Sequence, residues 1–362
     1  TQSLEGFGCE NMNAAISSAG SLIHYLQETQ KSAIEHITTL TLFPIHNYMA
    51  LDQSTLASLE LVQSSEGSRK NSLLDLLDLS ETSMGARRIR EWILKPLIDA
   101  ERIQERLSIV KDFKDNPTER KHIRDLLRNI FDLERLLGRI SLSACNARDL
   151  IALKTSLEVF PGLLKSLKDS GSIAIHAYIQ NWDNLNNIYD LIDQNITDNP
   201  PLSLKEGNLI KPDRNVELDR LKKITRQGKS WIASLELEEK EKTGIPALKV
   251  GFNKIYGYYI EVTKKHCDHV PAEYIRKQSL VNAERYISPK LKEYEEEITG
   301  AEEKIFSIEQ KLFEEIRSTV SLAGSRIQGM ARTISEIDAL SSFAEIAHRY
   351  NYCQPEFTTD SS

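Results

Sequence analysis

A mainly α-helical fold, with a helical core bundle, two long antiparallel helices and a small β-rich domain inserted at their tip, is predicted by three features of the sequence. Apolar residues recur every three or four positions through most of the chain. After residue 213 that rhythm persists over many turns in two separate stretches. Between them, residues 248–289 change character, becoming rich in the β-branched and aromatic residues that strands favour. Charge changes at the same place. The chain carries a net −7, but residues 245–292 hold nine Lys or Arg against four acids, whereas residues 293–317 hold nine Glu against three cations. A cationic patch is thereby expected at the end of an acidic stalk.

The elements follow in order. After a glycine-containing turn, Ile16, Ile23 and Leu26 predict a helix within residues 4–30, and an extended run from Ile37 to Phe43 ends at Pro44. Ile89, Trp92 and Ile93 share a helical face that stops at Lys95, because the ring of Pro96 disfavours the α conformation before it. Asp99 is placed to cap a helix burying Ile103, Leu107, Val110 and Phe113. Further helices are expected over 118–141, with Leu126, Ile130, Leu133 and Leu137 inward, over 147–160 and over 173–194. The stretch 198–212, with Pro200, Pro201 and Pro212, reads as a loop.

The first long helix aligns Leu218, Leu221, Ile224, Gly228, Trp231 and Leu235 until Gly244 and Pro246 stop it. The second aligns Leu291, Tyr294, Ile298, Ala301, Ile305, Ile308 and Leu312 after Pro289. Narrow seams of this kind suit a coiled-coil-like pair. About thirty residues at ~1.5 Å each would project on the order of 45 Å. Within the insertion, Leu248, Val250 and Phe252 alternate, as do Tyr258, Ile260 and Val262, which predicts two strands joined through Asn253 and Gly257. The segment LVNAERYIS is read as the approach to the second helix, and Gly244, Pro246 and Pro289 as hinge positions.

Asn253, Lys254, Arg276, Lys277, Gln278, Asn282 and Arg285 are the candidate binding residues, expected around one concave face. Lys and Arg neutralise phosphates and Asn and Gln donate to phosphate oxygens, so the contact they imply is independent of base sequence. Tyr256, Tyr258 and Tyr259 could stack on bases or form the core of the mini-domain, and core is expected for Tyr258. His266, Cys267 and His269 supply too few ligands for a structural zinc site and read as a surface loop. The glutamates of 293–297 read as solvated positions beside the seam rather than an acid/base pair, and Trp92 as a packing residue. Gly85 and Arg87 are expected to shape a helix start or a junction.

Cys9, Cys145, Cys267 and Cys353 lie far apart with no secretory signal, which suggests reduced thiols in a cytosolic setting. No run approaches membrane-spanning length. The chain starts at Thr1 rather than methionine and reads as a piece of a longer protein.

Three strings carry a family resemblance: NSLLDLLDLSETSMGARRIREWILKPL at 71–97, DLERLLGRISLSACNARDL at 132–150, and LKVGFNKIYGYYIEVT with LVNAERYISPKLKEYE within 248–295. The chain resembles the central region of the MutS family of mismatch-recognition ATPases, over essentially all of its 362 residues. That resemblance implies the end of a connector domain at 1–36, a helical core at 37–212, a first lever helix at 213–244, a DNA-gripping clamp at 245–289, a second lever at 290–325 and a return to the core at 326–362. It also implies double-stranded DNA as a sequence-independent partner, a second MutS-type subunit, a downstream repair protein of the MutL type, no membrane partner, and a cytoplasmic, nucleoid-associated location. ATP and Mg are expected in a C-terminal domain outside this chain, since no GxxxxGK[ST] phosphate loop occurs here. No cofactor is expected within the chain, and no catalysis of its own. A Phe-x-Glu match at Phe313 and Glu315 lacks the wedge context of the family. Two other readings remain open: a helical scaffold whose tip binds a protein, and a recombination-type relative that does not read mismatches.

Overall fold

A computed structural model describes residues 12–30, 47–253 and 257–357 of the chain. The run Ile37–Phe43 and Lys254, Ile255 and Tyr256 lie outside the described residues, as do the side chains of Ile224, Trp231 and Ile298. The chain divides into two compact units, residues 1–194 with 316–362, and residues 195–315.

In the first unit the helices are α1 (Asn13–Gln30), α2 (Gln53–Ser58), α3 (Leu73–Leu77), α4 (Ser83–Leu94), α5 (Ala100–Asp115), α6 (Pro117–Leu127), α7 (Leu133–Ser141), α8 (Ala147–Asp169), α9 (Ile173–Tyr178) and α10 (Asn186–Asn195). They are joined late in the sequence by α13 (Gly324–Arg349), which packs against α3, α4, α5, α6 and α7. Helix α13 is buried on nearly all sides, and Ala339, Ser341, Ser342 and Ala344 are the small residues that let its neighbours approach. Its Asp338 is fully buried and accepts from the amides of Glu81 and Thr82 at 3.0 and 2.8 Å and from the Thr82 hydroxyl at 2.7 Å. Thr82 in turn caps α4 by accepting from the Gly85 amide at 2.9 Å. Any side chain on Gly85 would overlap the Asp338 carboxylate, which explains the glycine. Arg87 grips Asp132 through both terminal nitrogens at 2.9 and 2.8 Å and Glu134 at 2.7 Å, tying α4 to the start of α7. Trp92 packs beside Phe343, ring centroids 6.1 Å apart, with the Arg106 guanidinium 3.7 Å from its ring.

Several helices depart from expectation for identifiable reasons. The span 118–141 is two helices, because Asp132 caps α7 by accepting from the Arg135 amide and is held there by Arg87. The inward set accordingly becomes Ile123, Leu127, Ile130, Leu133, Leu136 and Ile140, with Leu126 and Leu137 half-buried. In α5, Ile109 and Phe113 are buried while Ile103, Leu107 and Val110 are partly covered. Helix α8 continues past residue 160 through Pro161, since burial of Phe160, Leu163 and Leu167 on one face offsets the lost hydrogen bond. The span 173–194 breaks between α9 and α10, where Leu185 takes a φ of +53° and Asp183 accepts from the Leu185 amide at 2.9 Å.

The second unit begins with a bridge between Ile196 and Ile210 that closes the 198–212 loop, in which Ser203 caps a short 3-10 turn, Leu204–Glu206. Helix α11 (Val216–Thr243) is capped by Asn215 and ends at Gly244, whose φ of +65° lets its amide reach Lys240 O at 3.0 Å. Helix α12 (Pro289–Leu322) returns antiparallel to it: Lys222 early in α11 pairs with Glu309 at 2.6 Å, and Glu238 late in α11 pairs with Lys290 at 2.7 Å. Of the predicted seam, Leu218, Leu235, Leu291 and Ala301 are buried.

Between these helices stands a four-stranded antiparallel sheet of β1 (Lys249–Asn253), β2 (Gly257–Thr263), β3 (Ile275–Ser279) and β4 (Ala283–Ile287), in the order β1-β2-β4-β3. The β1–β2 hairpin is the predicted one, and Gly257 at its end has a φ of +74°. The segment LVNAERYIS does lead into α12, but it does so as a strand: after the turn it forms β4, a central strand that ends two residues before the helix begins. Its Ala283, Tyr286 and Ile287 are buried, yet the short run alternates too briefly to declare itself.

Candidate nucleic-acid interface

Directly opposed residues of antiparallel strands point to the same face of a sheet. Val250, Ile260 and Tyr286 are opposed in turn across β1, β2 and β4, and with Val262 and Tyr258 they pack on Leu235, Ile245, Leu248, Tyr274 and Leu291. This is the covered face, and Tyr258 belongs to it as expected. Lys249, Glu261, Arg285 and Gln278 are opposed across all four strands and form the other, open face.

Carboxylates from the two long helices hold the sheet in place. Glu236 of α11 accepts from the Val250 amide at 3.0 Å, Glu295 of α12 accepts from the Tyr258 amide at 3.0 Å, and buried Glu239 accepts from the Tyr274 hydroxyl. Lys242 adds a 2.7 Å pair with Glu273. Glu295 therefore does not serve as a solvated charge, as the 293–297 run suggested; it satisfies a strand amide that the hairpin leaves open.

The Lys240 ammonium, followed by the Val250 amide, holds the Glu236 carboxyl below its ordinary value of about 4.5. A depressed carboxyl contributes stability above its ordinary pKa and loses it as pH falls through the lower folded value. Hydrogen-exchange protection of the Val250 amide, corrected for intrinsic rate, is expected to decline through that acid window. Glu236→Gln should abolish the dependence.

The candidate residues do not share one concave face. Arg285 lies at the centre of the open face, its guanidinium 4.1 Å from the Tyr259 ring, with Nε donating to Glu261 at 3.0 Å and a terminal nitrogen donating to Gln278 at 2.9 Å. Lys277 is exposed and occupies the bulge where the β3 register shifts between Arg276 and Gln278. Asn282 is exposed in the β3–β4 turn, beside the Thr263 end of β2. Arg276 is opposed to Tyr286, which puts it on the covered side, where it pairs with Glu284 at 3.4 Å. Asn253 sits opposite Gly257 at the far end of the sheet, and Lys254 lies outside the described residues. The physical reason is the two-residue period of the strands: Arg276 and Arg285 occupy positions of opposite parity once β4 is recognised as a strand.

Sequence reasoning missed Lys249 and Glu261 as members of this surface, and for Tyr259 it left stacking and core both open. The alternation that placed Val250 and Ile260 inward also places these three outward, and it was legible.

His266, Cys267 and His269 lie on one 3-10 turn, with the imidazole centroids 6.3 Å apart. Among the described residues no three His, Cys, Asp or Glu side chains gather as a metal site, and no helix is long and apolar enough to cross a membrane.

Comparison with known proteins places the chain in a family. The chain is 43% identical over 356 residues to the DNA mismatch repair protein MutS of Symbiobacterium thermophilum, covering 98% of this chain and 41% of that protein. It is 45% identical to the MutS of Halothermothrix orenii over 361 residues, 99% of this chain and 40% of the relative. Against the MutS of Clostridium kluyveri the figures are 46% over 345 residues, 95% and 40%. The chain thus spans about two fifths of the length of the curated relatives it matches. Residues 54–344 match the family model of MutS domain III, and the chain belongs to the MutS family.

Proposed function

We propose that the second unit grips the backbone of double-stranded DNA without regard to sequence, as the clamp of a MutS-type mismatch repair protein. The observation that carries this reading is a net +5 over residues 245–292, on a small sheet whose other face is packed against its own helices. Lys277, Gln278, Asn282 and Arg285 would meet one stretch of backbone, and Asn253, at the opposite end of the sheet, another; Lys254 is proposed for the grip as the cation next to Asn253 in the sequence. Arg276 is left out of the grip because it lies on the other side.

In this reading α11 and α12 are the levers, flanked by the end of a connector domain within residues 1–36, a core over 37–212 and a return to the core after residue 325. Packed helices with discrete arrangements can convey a displacement, here between DNA grip and the nucleotide state of an ATPase outside this chain. That part of the protein would bind ATP and Mg, another part would read the mismatch, and the partners would include a second subunit and a MutL-type repair protein on the nucleoid.

Several phosphate contacts make affinity fall steeply with salt, on the order of 10³-fold or more between 50 and 200 mM for six or more contacts. Lys277→Glu combined with Lys254→Glu is expected to weaken binding to matched and mismatched duplexes alike and to flatten the salt slope by about one unit per lost contact. Duplex affinity unchanged by the pair, measured by fluorescence anisotropy across a salt titration, would exclude the grip. Protein capture by the sheet would show neither the slope nor the loss.

A further inference from the structure

We propose that Glu261 is a built-in competitor for the DNA phosphate at Arg285, so that this carboxylate sets the strength of the backbone grip. The inference rests on the DNA reading above and concerns the regulation of that same surface.

Arg285 is the central cation of the open face, yet its side chain is only 19% exposed and is already engaged. Its Nε–H donates to Glu261 Oε2 at 3.0 Å and a terminal N–H donates to Gln278 Oε1 at 2.9 Å, while the guanidinium plane lies over the Tyr259 ring at 4.1 Å. A guanidinium carries five donors in a fixed fork, and carboxylate and phosphodiester oxygens compete for the same fork geometry. The three partners do different work. The Tyr259 ring and the Gln278 amide are neutral and orient the plane. Glu261 alone supplies charge, and it occupies the edge that an incoming phosphate needs.

Glu261 is directly opposed to both Arg285 and Lys249, so the carboxylate sits between two cations of the open face. A phosphate reaching this face would replace Glu261 on Arg285 while Tyr259 and Gln278 keep the fork aligned. Lys249, exposed and opposed to Glu261, remains to neutralise the displaced carboxylate. Bare duplex then has to displace an internal anion before Arg285 contributes, which keeps the grip weak and reversible.

Glu261→Gln removes the charge while retaining an oxygen that accepts from Arg285 Nε. It is expected to tighten binding of the chain to a 30-base-pair duplex by about 3- to 10-fold at 50 mM salt, with little change in the slope of log K against log salt, because Arg285 meets the same phosphate in both chains once Glu261 is displaced. Glu284→Gln removes the same charge one residue away from Arg285 on the other face, and serves as the control for a general field effect. In an Arg285→Gln background, Glu261→Gln should do no more than Glu284→Gln, so the gain depends on both residues.

Equal effects of Glu261→Gln and Glu284→Gln, or a gain that persists without Arg285, would overturn the competition while leaving the grip intact. Loss of the grip itself is read separately, from the Lys277→Glu and Lys254→Glu pair: if that pair leaves affinity unchanged, both readings fall. Thermal midpoints of the variants, compared with the parent chain, confirm that each is folded.

Discussion

Replacing Asp338 by alanine is expected to destabilise the helical unit by about 3–5 kcal/mol, the cost of leaving buried polar partners without their acceptor. The carboxylate is fully buried on α13, and three donors from residues 81 and 82 converge on it. It joins α13 to the start of α4, some 250 residues earlier, and the two Thr82 donors are buried with it. Arg124, itself buried, extends the cluster by donating to Glu81 at 2.6 Å. Gly85→Ala attacks the same point from the other side, because its methyl group would overlap a carboxylate that three hydrogen bonds keep from moving. The two changes are therefore expected to be non-additive, with Gly85→Ala costing less in the Asp338→Ala background than alone. Urea denaturation followed by circular dichroism measures both. A loss below about 1 kcal/mol for Asp338→Ala would mean that the site relaxes or hydrates freely.

Lys222→Met is expected to have a comparable effect in the second unit, about 3–5 kcal/mol, since it leaves a buried charge without its partner. Glu309 is 1% exposed, and its 2.6 Å pair with Lys222 joins α11 to α12. Neither carboxylate oxygen accepts a hydrogen bond of good geometry among the described residues, so the ammonium carries the compensation. Lys222 also donates to Ile210 O at 3.3 Å, which draws the 198–212 loop onto the pair. Replacing both residues together, as Lys222→Met with Glu309→Leu, should recover most of the loss, because an apolar pair of similar volume removes the desolvation cost altogether. Hydrogen exchange along α11 reads the effect within the unit. Equal protection in the parent and Lys222→Met chains would show that Glu309 is compensated by other means.

Much of the helical architecture was legible because capping and periodicity are local. Asp99 and the Lys95–Pro96 stop, the Gly244 terminus of α11 and the start of α12 at Pro289 all follow from residues within a turn of the boundary. Where tertiary partners decided the matter, the pattern misled. The break before Asp132 depends on Arg87, from a helix 45 residues away, and the passage of α8 through Pro161 depends on what covers Phe160 and Leu163.

The same distinction holds at the candidate interface. The β1–β2 hairpin announced itself through alternation and a glycine. Strands β3 and β4 are five residues each, and only the pairing of β4 with β2 and of β3 with β4 reveals which side each residue takes. Without that, Arg276 and Arg285 look equivalent, and Glu295 looks like one more surface acid.

The bulge at Lys277 also has a consequence for the chain in isolation. Strand β3 is an outer strand of the sheet, and an outer strand with an unbroken row of free amides and carbonyls invites a neighbouring molecule to add its own strand. The extra residue interrupts that row, and two adjacent cations, Arg276 and Lys277, stand where an incoming chain would have to lie flat. Removing the extra residue or both charges would leave a flatter, uncharged template, and self-association into β-rich aggregates is the hazard this local irregularity guards against.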